Sequence, residues 1–321
     1  MQTFFSSDPF AARRPSFFAN TLFLIVVMVL YPLAGVLLFS FVGSGREATF
    51  SLLHIERGML PLIRLVQVAG QLLVLALPVL LLSAWHTGRK NPFSREGFAF
   101  LGIGKSVDFS ATALAVGGIF LLQPLLYTLI ALQDLYLWTA LGAAGREVVR
   151  QRDLMDSFIK ELALVRTIPE LFSVAFVLAF TPAVCEELLF RGYIQQNYTR
   201  SISSGSAVLL TGCIFALFHL SAANLLPLVL LGWYIGYIYS LTGNLVIPFF
   251  VHFSNNLAAL LFLIFFEGSR SAGITGSALL IVSPWWWLVV AGSLFLFVLV
   301  LWRLFADFSS RDGVERAGVF H

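Results

Sequence analysis

The chain has 321 residues, of which 59% are hydrophobic and 12% charged, and its formal net charge is +3. Soluble domains carry about 25% charged residues, so this composition excludes a chain that faces water over its whole surface. The small positive excess argues against nucleic acid as a partner, and the two cysteines, Cys185 and Cys213, sit in apolar runs and define no disulfide framework.

Apolar runs long enough for about 30 Å of hydrocarbon recur along the chain. The fold class they predict is all-α, a polytopic membrane bundle of about eight transmembrane helices that takes in 1–321 as one unit. The spans are expected near Phe17–Val42, Leu60–Trp85, Phe109–Leu132, Ile168–Phe190, Ser206–Ala223, Leu225–Leu241, Leu245–Phe266 and Trp285–Phe305. The first follows Arg13 and Arg14 and is too long for a signal-peptide core, so it reads as an uncleaved span. Residues 133–167 form an amphipathic connection in which Leu154, Phe158, Leu162 and Val165 recur at helical spacing among mixed charges. That pattern suits a helix lying at the membrane surface, and nothing specific marks it as a lid. The fourth span is expected to continue as helix through Tyr198. The fifth to seventh are joined by "ANLLP" and "TGN", connections short enough to make them antiparallel neighbours.

Trp285, Trp286 and Trp287 read as an aromatic anchor at one interface. Lys and Arg near the span ends give a modest bias that places both termini in the cytoplasm of a multi-pass cell-membrane protein. That side receives Arg13, Arg14, Arg89, Lys90, Arg95, Lys105, Arg191, Arg200, Arg303, Arg311 and Arg316. The other side receives Arg46, Arg57, Arg270 and the stretch Arg146–Arg166.

Three polar clusters interrupt the apolar runs. The first is "CEELLFR", with Glu186, Glu187 and Arg191. An ionisable group at bilayer depth costs about 2.5–3.5 kcal/mol on insertion scales and marks a functional site by default. A helix ending at the headgroups would account for Arg191 alone, but two adjacent carboxylates need separate roles. Helix geometry supplies them, because Glu187 and Arg191 form an i,i+4 pair while Glu186 points elsewhere. Pro182 loosens the backbone one turn earlier. His219 in "FALFH" is the second cluster, and His252 with Asn256 in "HFSNN" is the third. Either histidine alone would more often be satisfied by a neighbouring helix. His54, His86 and the terminal His321 lie at span ends or beyond and read as interfacial or solvated. Three clusters on neighbouring helices point instead to one wet intramembrane site. A carboxylate with a neutral imidazole can take a proton from water or from a metal-bound water, and a second imidazole with an amide can serve an oxyanion. Cys185, next to Glu186, is a poorer nucleophile candidate because its neighbours are acidic and adjacent helix positions diverge. No H-E-x-x-H and no rhomboid-like serine signature occur, and "GIGK" lacks a presenilin-type aspartate.

"EELLFR", "FALFH" and "HFSNN" fit E-E-x-x-x-R, F-x-x-x-H and H-x-x-x-N in that order. In this the chain resembles the CPBP family of intramembrane proteases, which includes type II CAAX prenyl endopeptidases, bacteriocin-processing proteins and lysostaphin-resistance-like proteins. The resemblance implies a catalytic core over 165–266 and an endopeptidase acting on a membrane-associated or lipidated protein or peptide. It assigns Glu186 and His219 to water activation, and His252 and Asn256 to the oxyanion. Glu187 and Arg191 would brace the site, and Phe215 would pack beside it. It leaves open whether a divalent metal such as Zn2+, held by Glu186, His219 and His252, carries the water. The alternative is a non-catalytic scaffold or an immunity or partner-binding protein of the same family.

Overall fold

The structure, a computed structural model, describes residues 9–43, 57–266 and 281–318. Arg46, His54, Arg270 and His321 lie outside the described residues. Among the described residues ten helices follow in order: α1 Phe17–Gly43, α2 Leu60–Thr87, α3 Arg95–Phe100, α4 Phe109–Ala140, α5 Ala143–Leu162, α6 Ile168–Tyr198, α7 Ser204–Phe218, α8 Leu225–Thr242, α9 Val246–Phe266 and α10 Pro284–Gly318. Seven of them, α1, α2, α4, α6, α8, α9 and α10, are long and apolar enough to cross a membrane.

Local sequence explains where these helices begin and end. Ser94, Asp108, Thr167 and Ser203 each accept a backbone N–H of the first turn, starting α3, α4, α6 and α7. Gly243 closes α8 in a left-handed conformation, φ 55°, which a residue without Cβ adopts freely. The core gathers Leu75, Ile119, Phe190, Phe215, Ile235 and Val251, one each from α2, α4, α6, α7, α8 and α9, all fully buried. Outward faces of the same helices expose Leu, Phe and Val, as lipid contact requires.

Several expectations change. The fifth span, expected over Ser206–Ala223, is the 15-residue helix α7, about 22 Å long. It stops at Phe218, because Leu220 turns to φ 50°, so the described residues form seven long spans and one short apolar helix. The third span runs past Leu132 to Ala140. It can do so because Gln133 donates to Ala223 O at 3.2 Å and Asp134 pairs with Arg152 at 2.6 Å, which gives the polar residues partners. His86 is half-buried, bonded to the Tyr193 hydroxyl at 3.0 Å and stacked on Phe100. Arg14 and Arg191 are buried at 3% and 0% exposure, with their charged groups hydrogen-bonded inside the protein. Arg14 donates to Asn197 Oδ1 at 3.1 Å and to Phe100 O at 3.0 Å. In the tryptophan run Trp286 turns inward to Thr128 at 2.9 Å, while Trp285 and Trp287 stay exposed.

The amphipathic connection is the helix α5. Phe158 and Leu162 pack on Met59, Leu60 and Ile63, and the buried Arg64 of α2 donates to Leu162 O and Leu164 O at 2.8 Å each. A cation on the last carbonyls suits the negative end of the helix dipole. On its exposed face, bonds from Arg150 and Gln151 hold the Glu147 carboxyl down at about 2.

Candidate active site

α6 carries the acidic pair on a helix that changes pitch twice. π-helical turns over Phe176–Phe180 and Leu188–Gln195 flank the α-helical stretch Thr181–Glu187. Pro182 has no N–H to give and its ring crowds the preceding turn, and a widened turn relieves both. α2 has the same arrangement, with a π-helical turn at Leu72–Ala76 just before Pro78. Such wide turns often accompany functional sites.

Arg191, fully buried, is the hub. Its Nη1 donates to Glu187 Oε1 at 2.9 Å, its Nη2 donates to Gly232 O at 3.2 Å, and its guanidinium lies 4.6 Å from the Phe215 ring centre. The Gly232 carbonyl comes within reach because α7 and α8 touch backbone to backbone. A Cβ on Gly212 would stand 2.3 Å from Trp233 Cδ1 and 2.9 Å from its nitrogen. The expected i,i+4 pair is therefore present, and it is shared: Glu187 Oε1 also meets His252 Nδ1 at 2.7 Å.

Glu186 points the other way. Its Oε2 stands 3.9 Å from His219 Nε2 and 3.9 Å from His252 Nε2. His219, expected inside a helix, is instead the first residue beyond α7, with its Nδ1 donating to Phe215 O at 2.8 Å. Phe215 meets both imidazoles edge-on, at 4.7 and 5.8 Å between ring centres. The His219 side chain is 30% exposed, against 3% for His252 and 10% for Glu186, so the cluster is reached from the His219 side.

These partners assign the tautomers. Phe215 O can only accept and Glu187 is a carboxylate, so each Nδ1 carries the hydrogen and each Nε2 presents a lone pair. Glu186 Oε2 is itself buried without a hydrogen-bond partner. Three acceptors thus face one point, an arrangement that favours a proton donor or a cation between them. Donors around one tetrahedral zinc stand about 3.4 Å apart. The 3.9 Å separations are wider, and among the described residues no group of three or more His, Cys, Asp or Glu is set to hold an ion. The chemistry of the donors, a carboxylate and two imidazoles with their second nitrogens tied, does fit such an ion.

Asn256 lies one turn past His252 on α9. Its Oδ1 accepts from Asn255 Nδ2 at 3.3 Å, and no bond joins it to the imidazoles or carboxylates among the described residues. Asn255 is held in turn by Gln123 of α4, whose Nε2 donates to Asn255 Oδ1 at 3.0 Å and to Ile119 O at 3.1 Å. Sequence reasoning does not find Gln123 or Gln133, since an isolated amide in an apolar run has no spacing signal. Gln133 matters here because its bond to Ala223 O pins the turn that follows His219. Cys185 is buried in the apolar core.

Residues 168–258 match the family model of the type II CAAX prenyl endopeptidase Rce1-like proteins. The match takes in all three polar clusters and leaves α1, α2 and α4 outside. It supports an intramembrane endopeptidase of CAAX type in general terms, and over this stretch the resemblance to the CPBP proteases holds. No curated protein and no solved structure matches the chain.

Proposed function

We propose that this chain, similar over its central stretch to the CAAX prenyl endopeptidases, hydrolyses a peptide bond in a membrane-associated or lipidated protein, with Glu186 as the proton acceptor. The observation that carries this reading is the convergence of Glu186 Oε2 on both Nε2 atoms at 3.9 Å, with the His219 side chain 30% exposed beside them. A water seated there gives one hydrogen to Glu186 and the other to an imidazole Nε2. As its oxygen bonds to the carbonyl carbon, the first proton moves to the carboxylate. When the tetrahedral adduct collapses, the C–N bond breaks and that proton goes to the leaving nitrogen.

His252 has a lone pair at Nε2 in its resting tautomer and accepts the water's second hydrogen there; a donor role towards the oxyanion belongs to its imidazolium form, whose extra proton comes from bulk water. Glu187 faces the resulting imidazolium at Nδ1, and Arg191 keeps that carboxylate in place. Asn256 is the second donor: Asn255 occupies its Oδ1, which leaves the amide hydrogens for the oxyanion. A divalent metal such as zinc is favoured by one observation, the two imidazoles with tied Nδ1 and bare Nε2. Glu186, His219 and His252 would hold it, and it would supply an acidified water and charge for the oxyanion.

Loss of a positioned general base lowers turnover by about 10²–10⁴-fold, and Glu186→Gln is expected to fall in that range. Comparative proteomics of cells lacking the protein, rescued with parent or Glu186→Gln, reads both substrate and activity. If Glu186→Gln and His219→Ala fold and restore the parental cleavage pattern, the polar cluster serves as scaffold and the proposal fails. Metal analysis of the purified protein, with and without chelator, separates the two accounts of the water.

A further inference from the structure

Gln123 of α4 belongs to none of the polar clusters on α6 to α9 and lies outside the stretch 168–258 that matches the family model. A row of three side-chain amides nevertheless joins it to α9. Its Nε2 stands 3.1 Å from Ile119 O, one turn back on its own helix, and 3.0 Å from Asn255 Oδ1. Asn255 Nδ2 stands in turn 3.3 Å from Asn256 Oδ1. The two ends of an amide have nearly the same shape, so hydrogen bonding alone determines which end faces where. Here one atom settles all three. Ile119 O is a main-chain carbonyl and can only accept, so the end of Gln123 beside it is the nitrogen. The second hydrogen of that nitrogen goes to Asn255, whose facing end must be the oxygen. Asn255 then turns its nitrogen to Asn256, which must answer with Oδ1. Both hydrogens of Asn256 Nδ2 are left on the side away from Asn255, and turning Asn256 alone would set one NH₂ group against another.

We infer that Gln123 is a positioning residue: from outside the catalytic helices it fixes, through Asn255, which end of the Asn256 amide meets the oxyanion. This role presupposes the proposed hydrolysis, in which Asn256 is a donor. A reversed Asn256 would aim its carbonyl oxygen at the developing negative charge, whereas a donor already in place needs no reorientation as that charge forms. The rival role is packing alone, in which the amides do no more than hold α4 against α9.

The test uses the full chain in proteoliposomes with a farnesylated CAAX-type peptide as the probe. Turnover and thermal unfolding are measured for the parent, Gln123→Met, Asn256→Ala and the double variant. Methionine fills the place of glutamine without an amide. The bias it removes is that of one hydrogen bond, so Gln123→Met is expected to lower kcat about fivefold with KM unchanged. Asn256→Ala is expected to lower kcat about 10²–10³-fold, and Gln123→Met added to it to lower kcat no further, because the amide it orients is gone. An unchanged kcat in Gln123→Met, or the same fold loss with and without Asn256, overturns the positioning role and leaves the protease reading standing. Unfolding supplies a readout that needs no hydrolysis: the two shifts in unfolding temperature are expected to sum to more than the shift of the double variant, and strictly additive shifts overturn the amide row. Non-additive shifts in a parent that leaves the peptide intact count against the protease reading and leave the amide row supported.

Discussion

Arg191 shows how a charge survives at the centre of an apolar bundle. One carboxylate, one carbonyl and one aromatic face share it, and the carboxylate also orients His252. Breaking one partner of a buried pair costs about 3–5 kcal/mol, while replacing both with apolar groups is often near neutral. Arg191→Leu is therefore expected to lower stability by about that amount, and Glu187→Leu/Arg191→Leu to recover most of it in thermal unfolding of the purified protein. Turnover should stay lost in the double variant, since His252 no longer has a partner for Nδ1. A double variant as unstable as Arg191→Leu would contradict this reading of the pair. The pairing of Glu187 with Arg191 and the separate direction of Glu186 were legible in "EELLFR", because both follow from the angular step of a helix. The sharing of Glu187 with His252 was not legible, since it depends on how α9 packs against α6.

At the level of elements, two devices set the site. Wide turns next to Pro78 and Pro182 reshape α2 and α6, and bare glycine contacts draw α7 against α8. Gly212→Val would push a side chain into Trp233, and overpacking of this kind costs about 1–3 kcal/mol. The expected result is a lower unfolding temperature together with reduced turnover, because Arg191 loses the Gly232 carbonyl. Unchanged turnover would mean that this contact does not position the site. Helix existence was readable from apolar runs, and so were the amphipathic face of α5 and the continuation of α6 to Tyr198. The end of α7 was not, because "FHLSAAN" contains no proline or glycine to announce it. Helix α4 also outran its expected end, since Gln133 and Asp134 find partners that only tertiary packing provides.

Across the whole molecule, the chemistry-bearing helices α6 to α9 form a centre, and α1, α2, α4 and α10 surround it. Sequence motifs covered that centre alone; the contributions of Gln123 and Gln133 became visible only when the surrounding helix α4 was seen to aim single polar groups inward. Helix α1 is the extreme case among the surrounding helices. Only 11% of its apolar stretch is buried against protein, yet it supplies Tyr31, Pro32 and Gly35 to a cavity shared with α2, and the Tyr31 ring stacks on Phe218, the residue before His219. Its 27 residues extend about 40 Å, against about 30 Å of hydrocarbon. A long helix with lipid on most sides adjusts its tilt to match its surroundings, so membrane thickness becomes a control on the width of that cavity. Under the proposed reaction, proteoliposomes of graded acyl length should accordingly shift KM for a peptide substrate while leaving kcat nearly constant, which would make bilayer composition a co-determinant of what the site accepts.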